Sequence, residues 1–274
     1  MGLHRTRSPR RRGLQAGGHY ACSSTKPNDP VAAARTQAST LKLAKKTAET
    51  PKKKMALQVH RRLLEAYGEP TWRDPLPPVD ELVSTILSQN TNDINRDRGF
   101  DNLRKRYPTW EEVRDAPPEE VIEAIRIAGI ANQKGPRIQA ALRTITEERG
   151  EIELEFLREM PPDEVHDWLV KIKGVGPKTA AIVMQFSLDM PAFPVDTHIH
   201  RISGRIGLRP DKAGREKTHE ILADLFPPET YYPVHLNLIQ HGRQVCKAPR
   251  PLCEQCNMTD LCEYYRQLDP KPND

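Results

Sequence analysis

The sequence predicts an all-α protein. Three observations carry that expectation. Apolar residues recur at helical spacing almost everywhere from Met55 onward, period-two alternation is nearly absent, and aromatics make up only 5% of the 274 residues. A chain of this length can bury the core of one large or two medium domains. It contains no stretch of 18 apolar residues, so no membrane-spanning helix is expected.

The N-terminal part stands apart. Residues 1–54 hold 13 Lys+Arg against 2 Asp+Glu, which leaves a net −6 on residues 55–274 of a chain that totals +5. With Arg10-Arg11-Arg12, a Gly/Ser/Thr/Pro-rich stretch and a closing Lys52-Lys53-Lys54, residues 1–54 read as a disordered basic tail. Its charge suits non-specific attachment to nucleic acid, and its Arg-rich, acid-poor composition suits an organellar transit peptide. The reading adopted here is plainer: the tail has no function and translation starts at Met55. Because the body is mildly acidic, any nucleic-acid surface on it must be a local patch.

Leu57, Leu63 and Leu64 open an amphipathic helix that stops near Gly68. Further helices are expected around 79–90, 94–106, 118–128, 136–147, 163–172, 177–188, 197–206, 214–225 and 232–245. Pro-Pro pairs recur at 77–78, 117–118, 161–162 and 227–228, three of them followed by acids and an apolar run. Proline fits the first helical turn and acids suit the positive dipole end, so the pairs mark helix starts.

Between two of these helices lies Ile172-Lys173-Gly174-Val175-Gly176-Pro177-Lys178-Thr179. Two glycines around one apolar residue permit a very tight turn and let backbone amides approach an anion. Pro177 then opens the next helix, whose N-terminus also favours phosphate. This reads as a helix-hairpin-helix that grips the DNA backbone without reading sequence. Eighteen residues on, Pro194-Val195-Asp196-Thr197-His198 precedes another helix. Asp196 has an ordinary role available as an N-cap. With Lys178 it also makes a chemically complete pair. Burial and a helix N-terminus both lower a lysine pKa, from about 10.4 toward roughly 7–8, and a carboxylate opposite can relay protons. An exposed phosphate contact is the plain alternative for Lys178.

Cys246, Cys253, Cys256 and Cys262 follow at C-x6-C-x2-C-x5-C spacing, and the chain's fifth cysteine is Cys22. Four soft thiolates at that density read as a metal site rather than as core. A disulfide framework belongs to small secreted domains, which this chain does not match. The spacing leaves structural zinc and a [4Fe-4S] cluster level.

Three ordered signatures, Gly174–Ala180, Val195–His198 and the cysteine loop, resemble the endonuclease III family of DNA base-excision glycosylases over about residues 55–266. The resemblance implies a [4Fe-4S] cluster and two helical domains flanking a DNA cleft. One would be a helical barrel over 71–190 with the helix-hairpin-helix. The other would combine 55–70 with 191–274 and hold the cluster. It implies that Lys178 displaces the damaged base as a Schiff base, with Asp196 assisting, and that β-elimination then nicks the strand. Only an amine can form the imine that this elimination needs. Gly174, Val175 and Gly176 would meet the DNA backbone. A flipped base leaves a hole to be filled. The family's void-filling glutamine aligns with Asn90, one methylene shorter, with Gln89 beside it, and Ile130 matches the apolar wedge. Lys247 and Arg250 match basic residues that contact phosphates.

The implied activity is excision of oxidised pyrimidines by a bifunctional glycosylase/lyase, acting as a monomer on double-stranded DNA with damaged bases or abasic sites. The alternatives are a glycosylase for mismatched thymine or adenine, and a non-catalytic module that binds DNA structure. Reduced thiols and a DNA substrate imply a bacterial cytoplasm and nucleoid, with mitochondrion and nucleus left open by the tail.

Overall fold

The structure, a computed structural model, describes residues 50–71 and 74–268, and every regular element among them is helical. Most of the expected basic tail lies outside the described residues, as does Cys22. The tail's last residues depart from expectation, because the first helix, α1, already begins at Pro51 and runs to Tyr67. The cause is local. Thr50 caps it by accepting from the Lys53 amide at 3.2 Å, and Pro51 takes the first helical position, so the lysine triplet forms the first turn.

The prolines at 78, 118 and 162 each open a helix: α2 (Pro78–Ser88), α5 (Pro118–Ala124) and α7 (Pro162–Lys171). Pro228 opens a 3-10 turn that leads into α11 (Tyr231–Gln244). Between these stand α3 (Asp93–Arg106), α4 (Trp110–Asp115), α6 (Ala131–Arg149), α8 (Pro177–Phe186), α9 (Thr197–Ile206) and α10 (Arg215–Leu225), and α12 (Glu263–Leu268) comes last. The helix expected over 118–128 is two pieces, since Ile125 leaves helical geometry at φ −100° and ψ 10° and a 3-10 turn follows over Arg126–Ala128.

Buried apolar side chains form two clusters. The first draws on residues 79–188, with α2 at its centre. That helix is buried along nearly its whole length, its Glu81, Ser84 and Thr85 included, and packs on α3, α6 and α8. The second joins Ala56, Val59 and Leu63 of α1 to Phe193, Ile199, Ile202, Leu222, Val234, Leu238 and Met258. The first helix thus returns to the C-terminal part of the chain. Segment 187–196 leads from the first cluster to the second, and at its start Ser187 Oγ donates to the Leu76 carbonyl at 2.6 Å.

Candidate active site and nucleic-acid interface

The hairpin turn between α7 and α8 is built from inside. Val175 is buried and its amide donates to the Ile172 carbonyl at 2.9 Å. Side chain and amide are both engaged within the fold, so Val175 anchors the turn from inside. Gly174 takes φ +91°, whereas Gly176 sits in extended geometry at φ −98° and caps α8 with no side-chain hydrogen bond. Only one of the two glycines supplies the left-handed turn. The open first turn of α8 leaves amides for a ligand or water to satisfy, at the positive end of the helix dipole.

Lys178 stands in that first turn. Its side chain is exposed, so the expected burial is not present in the protein alone. Asp196 is half-buried and does cap α9, its Oδ1 accepting from the Ile199 amide at 2.8 Å. Both residues lie within electrostatic reach of one buried group, His235 on α11. Burial pushes His235 down to about 4, the Asp196 charge acts upward and the Lys178 charge downward. His235 Nδ1 donates to the Pro194 carbonyl at 3.0 Å, and Phe186 of α8 packs edge-on to its ring. Half-buried His219 mirrors it, bonded to the Phe193 carbonyl at 2.9 Å and also held down to about 4 by burial. Both histidines thus lie within electrostatic reach of Lys178, and His235 also of Asp196. The sequence reading passed over both histidines, since their bonds to the Phe193 and Pro194 carbonyls span 26 and 41 residues of chain.

A second group of residues faces the same side of the first cluster. Gln89 and Asn90 form the turn after α2. Gln89 is half-buried and its Oε1 accepts from Arg137 Nη1 at 3.0 Å, while the Arg137 stem lies against Gly174 of the hairpin. Asn90 is exposed at φ +52°. Ile130 is 44% exposed and left-handed at φ +50°, a conformation costly for a β-branched residue. A core role for Ile130 is thereby removed. Arg137 was not picked out from sequence because its link to both turns is tertiary.

The four cysteines are partly exposed free thiols, and Cys253, Cys256 and Cys262 are raised by burial and, less, by the charges of neighbouring cysteines. Burial contributes most, and it pushes Cys256 up to about 11. Among the described residues no three His, Cys, Asp or Glu are arranged to hold a metal ion. Two arginines of α9 pin the loop that begins at Cys246. Arg201 donates to the Cys246 carbonyl at 2.8 Å, and Arg205 donates to the carbonyls of Lys247 at 2.7 Å and Ala248 at 2.8 Å. The Lys247 and Arg250 side chains remain exposed. Arg243 pairs with Asp93 of α3 at 3.2 Å, linking α11 to the first cluster. No described helix is long and apolar enough to cross a membrane.

The family model for HhH-GPD superfamily base excision DNA repair proteins matches residues 83–228. An endonuclease III of Thermotoga maritima is 37% identical over 190 residues, 69% of this chain and 84% of that one. An endonuclease III of Sulfolobus acidocaldarius is 32% identical over 186 residues, 67% of this chain and 81% of that one. Among solved structures, a trapped covalent intermediate of an endonuclease III with DNA superposes with a TM-score of 0.68 at 26% identity, covering 79% of this chain and 98% of that one. The family model spans the hairpin, Lys178 and Asp196, and on these matches the chain belongs to the endonuclease III family of base excision repair DNA glycosylases, within the HhH-GPD superfamily.

Proposed function

We propose that this glycosylase excises oxidised pyrimidines from double-stranded DNA and nicks the strand itself, with Lys178 as nucleophile. The observation that carries the reading is the placement of an exposed lysine in the open first turn of α8, with Asp196 and Lys178 both acting on His235. DNA laid over the hairpin would bring the deoxyribose to that amine and cover it from water. The amine nitrogen then bonds to C1′ as the bond to the base breaks with its electron pair. Asp196 balances the positive charge that develops on the sugar and takes a proton from the attacking nitrogen. The nitrogen's lone pair then opens the sugar ring by breaking the C1′–O4′ bond, O4′ taking a proton, and the resulting imine acidifies the neighbouring C2′ proton, whose loss expels the 3′-phosphate. Water finally releases the lysine.

Borohydride reduces the imine to a stable amine, so it should trap protein on a lesion-containing or abasic duplex. Lys178→Ala should abolish trapping, and Asp196→Asn should slow base release on the order of 100-fold. Trapping undiminished in Lys178→Ala would end this assignment. A panel of oxidised, mismatched and alkylated duplexes tests the substrate class.

The two apolar clusters support a division into domains over 71–190 and over 55–70 with 191–274, with a single protein molecule on the DNA. Asn90, exposed at the tip of its turn, is the better void filler, since Gln89 is tethered to Arg137. Ile130 is the wedge, and Lys247 and Arg250 contact phosphates. The cysteine loop suits a [4Fe-4S] cluster held by Cys246, Cys253, Cys256 and Cys262. Four clustered thiols would serve zinc as well, and it is membership of the endonuclease III family that favours the cluster. When bound, the cluster supplies a fixed shape for the loop that carries Lys247 and Arg250. Purified protein should be brown, absorb near about 400 nm and contain iron and sulfide. Colourless protein with stoichiometric zinc would refute it. Such thiolate chemistry and a DNA substrate suit the bacterial cytoplasm.

A further inference from the structure

Lys134, on α6, is 1% exposed, yet no carboxylate among the described residues pairs with it. Its ammonium donates to the Leu87 carbonyl at 2.8 Å, the Ala128 carbonyl at 2.7 Å and Thr91 Oγ1 at 2.8 Å. Leu87 is in the last turn of α2, and Ala128 ends the 3-10 turn before α6. One cation therefore caps the negative ends of two helical segments that lie 41 residues apart in the chain, from Leu87 to Ala128. Thr91 closes the arrangement by also donating to the Ala128 carbonyl.

Directly beyond those two carbonyls the chain enters unusual geometry. Among the described residues only three other than glycine have positive φ, and two of them are Asn90 and Ile130. Lys134 holds the second from both sides, since its amide donates to the Ile130 carbonyl at 3.1 Å while its ammonium holds Ala128. Strained residues persist where the surroundings over-determine them. Burial pushes the Lys134 amine down to about 8, a cost that a surface lysine making the same helix contacts would not carry.

We propose that Lys134 is a positioning residue that locks the Asn90 turn and the Ile130 turn into one rigid double probe, so that both enter the DNA stack together when the base is extruded. The inference rests on the reading of Asn90 and Ile130 as stack-entering residues. Lys134 itself touches no substrate. It sets the spacing between the two tips, and misplacement by about 1 Å can cost on the order of 100-fold in rate.

The test compares two substrates in single-turnover assays of the full chain. Lys134→Met should slow base excision from a lesion duplex at least about tenfold, while nicking of a preformed abasic duplex, which has no base to extrude, changes by less than about threefold. Equal losses on both substrates would mean a merely structural role, and no loss on either would also overturn the proposal. Thr91→Val removes one acceptor at similar size and should give the same substrate split in milder form. It decides the matter if Lys134→Met does not fold. Asn90→Ala and Ile130→Ala separate the two readings. If they leave base excision unchanged, the stack-entering role fails. If they slow it while Lys134→Met and Thr91→Val do not, only the coupling fails.

Discussion

At Gly174 the backbone takes φ +91° and an added Cβ would stand 3.3 Å from Arg137 Cγ. At Gly176 φ is −98° and an added Cβ would meet nothing within 4 Å. The first glycine serves the fold, and the second leaves open space at the proposed phosphate contact. Gly174→Ala should therefore destabilise the protein by about 1–2 kcal/mol. Gly176→Ala should change stability by less than about 1 kcal/mol but weaken binding to abasic duplex on the order of tenfold. Urea melts and binding titrations read the two effects, and matching behaviour of the two variants would contradict the separation. The same contrast explains what the sequence made legible. Glycine spacing, Lys178, Asp196 and the cysteines stand in short ordered motifs whose chemistry can be read directly. Lys134 could not be found that way, because lysines are rarely buried and its acceptors lie up to 47 residues distant. The exposure of Lys178 and the burial of Val175 were likewise hidden, being properties of the packed turn.

Elements were most legible where a physical signal stands at their boundary. Each Pro-Pro pair opens a helical segment because the second proline needs no donor there. The helix α4 escaped notice, being only six residues long, although Thr109 and Glu112 form a reciprocal capping box before Val113. Pro136 misled in the opposite direction. Taken as the start of a helix, it lies inside α6, which begins five residues earlier at Ala131 because Ile130 turns left-handed and accepts from the amides of Gln133 and Lys134. An internal proline forfeits a helical hydrogen bond and crowds the preceding turn, at a cost of about 3 kcal/mol. Its restriction of the unfolded chain offsets about 0.4–1 kcal/mol of that. Pro136 is exposed, so its replacement leaves the core intact. Pro136→Ala should thus stabilise the protein by about 2 kcal/mol, seen as a higher denaturant midpoint with unchanged slope. An unchanged or lower midpoint would show that α6 is already relaxed around the ring.

Across the whole molecule, segment 187–196 leads from the first apolar cluster to the second, and two histidines report on that junction. His219 and His235 bond to consecutive carbonyls of that segment, Phe193 and Pro194. Burial holds both at about 4, against 6.5 for the free side chain. In the unfolded chain they take up protons as pH falls through about 6.5. The native protein resists until about 4, so between these values the unfolded state binds more protons. Stability must then fall as pH falls across that window, by up to about 1.4 kcal/mol per pH unit for each histidine. Above pH 7 the two contribute no slope. Carboxylates add their own dependence at the acid end, so the informative quantity is a difference between proteins. His235→Gln keeps a donor for the Pro194 carbonyl and removes the titration. Measured by urea unfolding at pH 5, 6 and 7 (conditions set by the ordinary histidine range), its stability should fall less steeply than wild type by about one histidine's share. Parallel slopes would mean that His235 is protonated in the native protein. The neutral wall beside Asp196 would then be a cationic one, competing with Lys178 and the sugar for the same carboxylate.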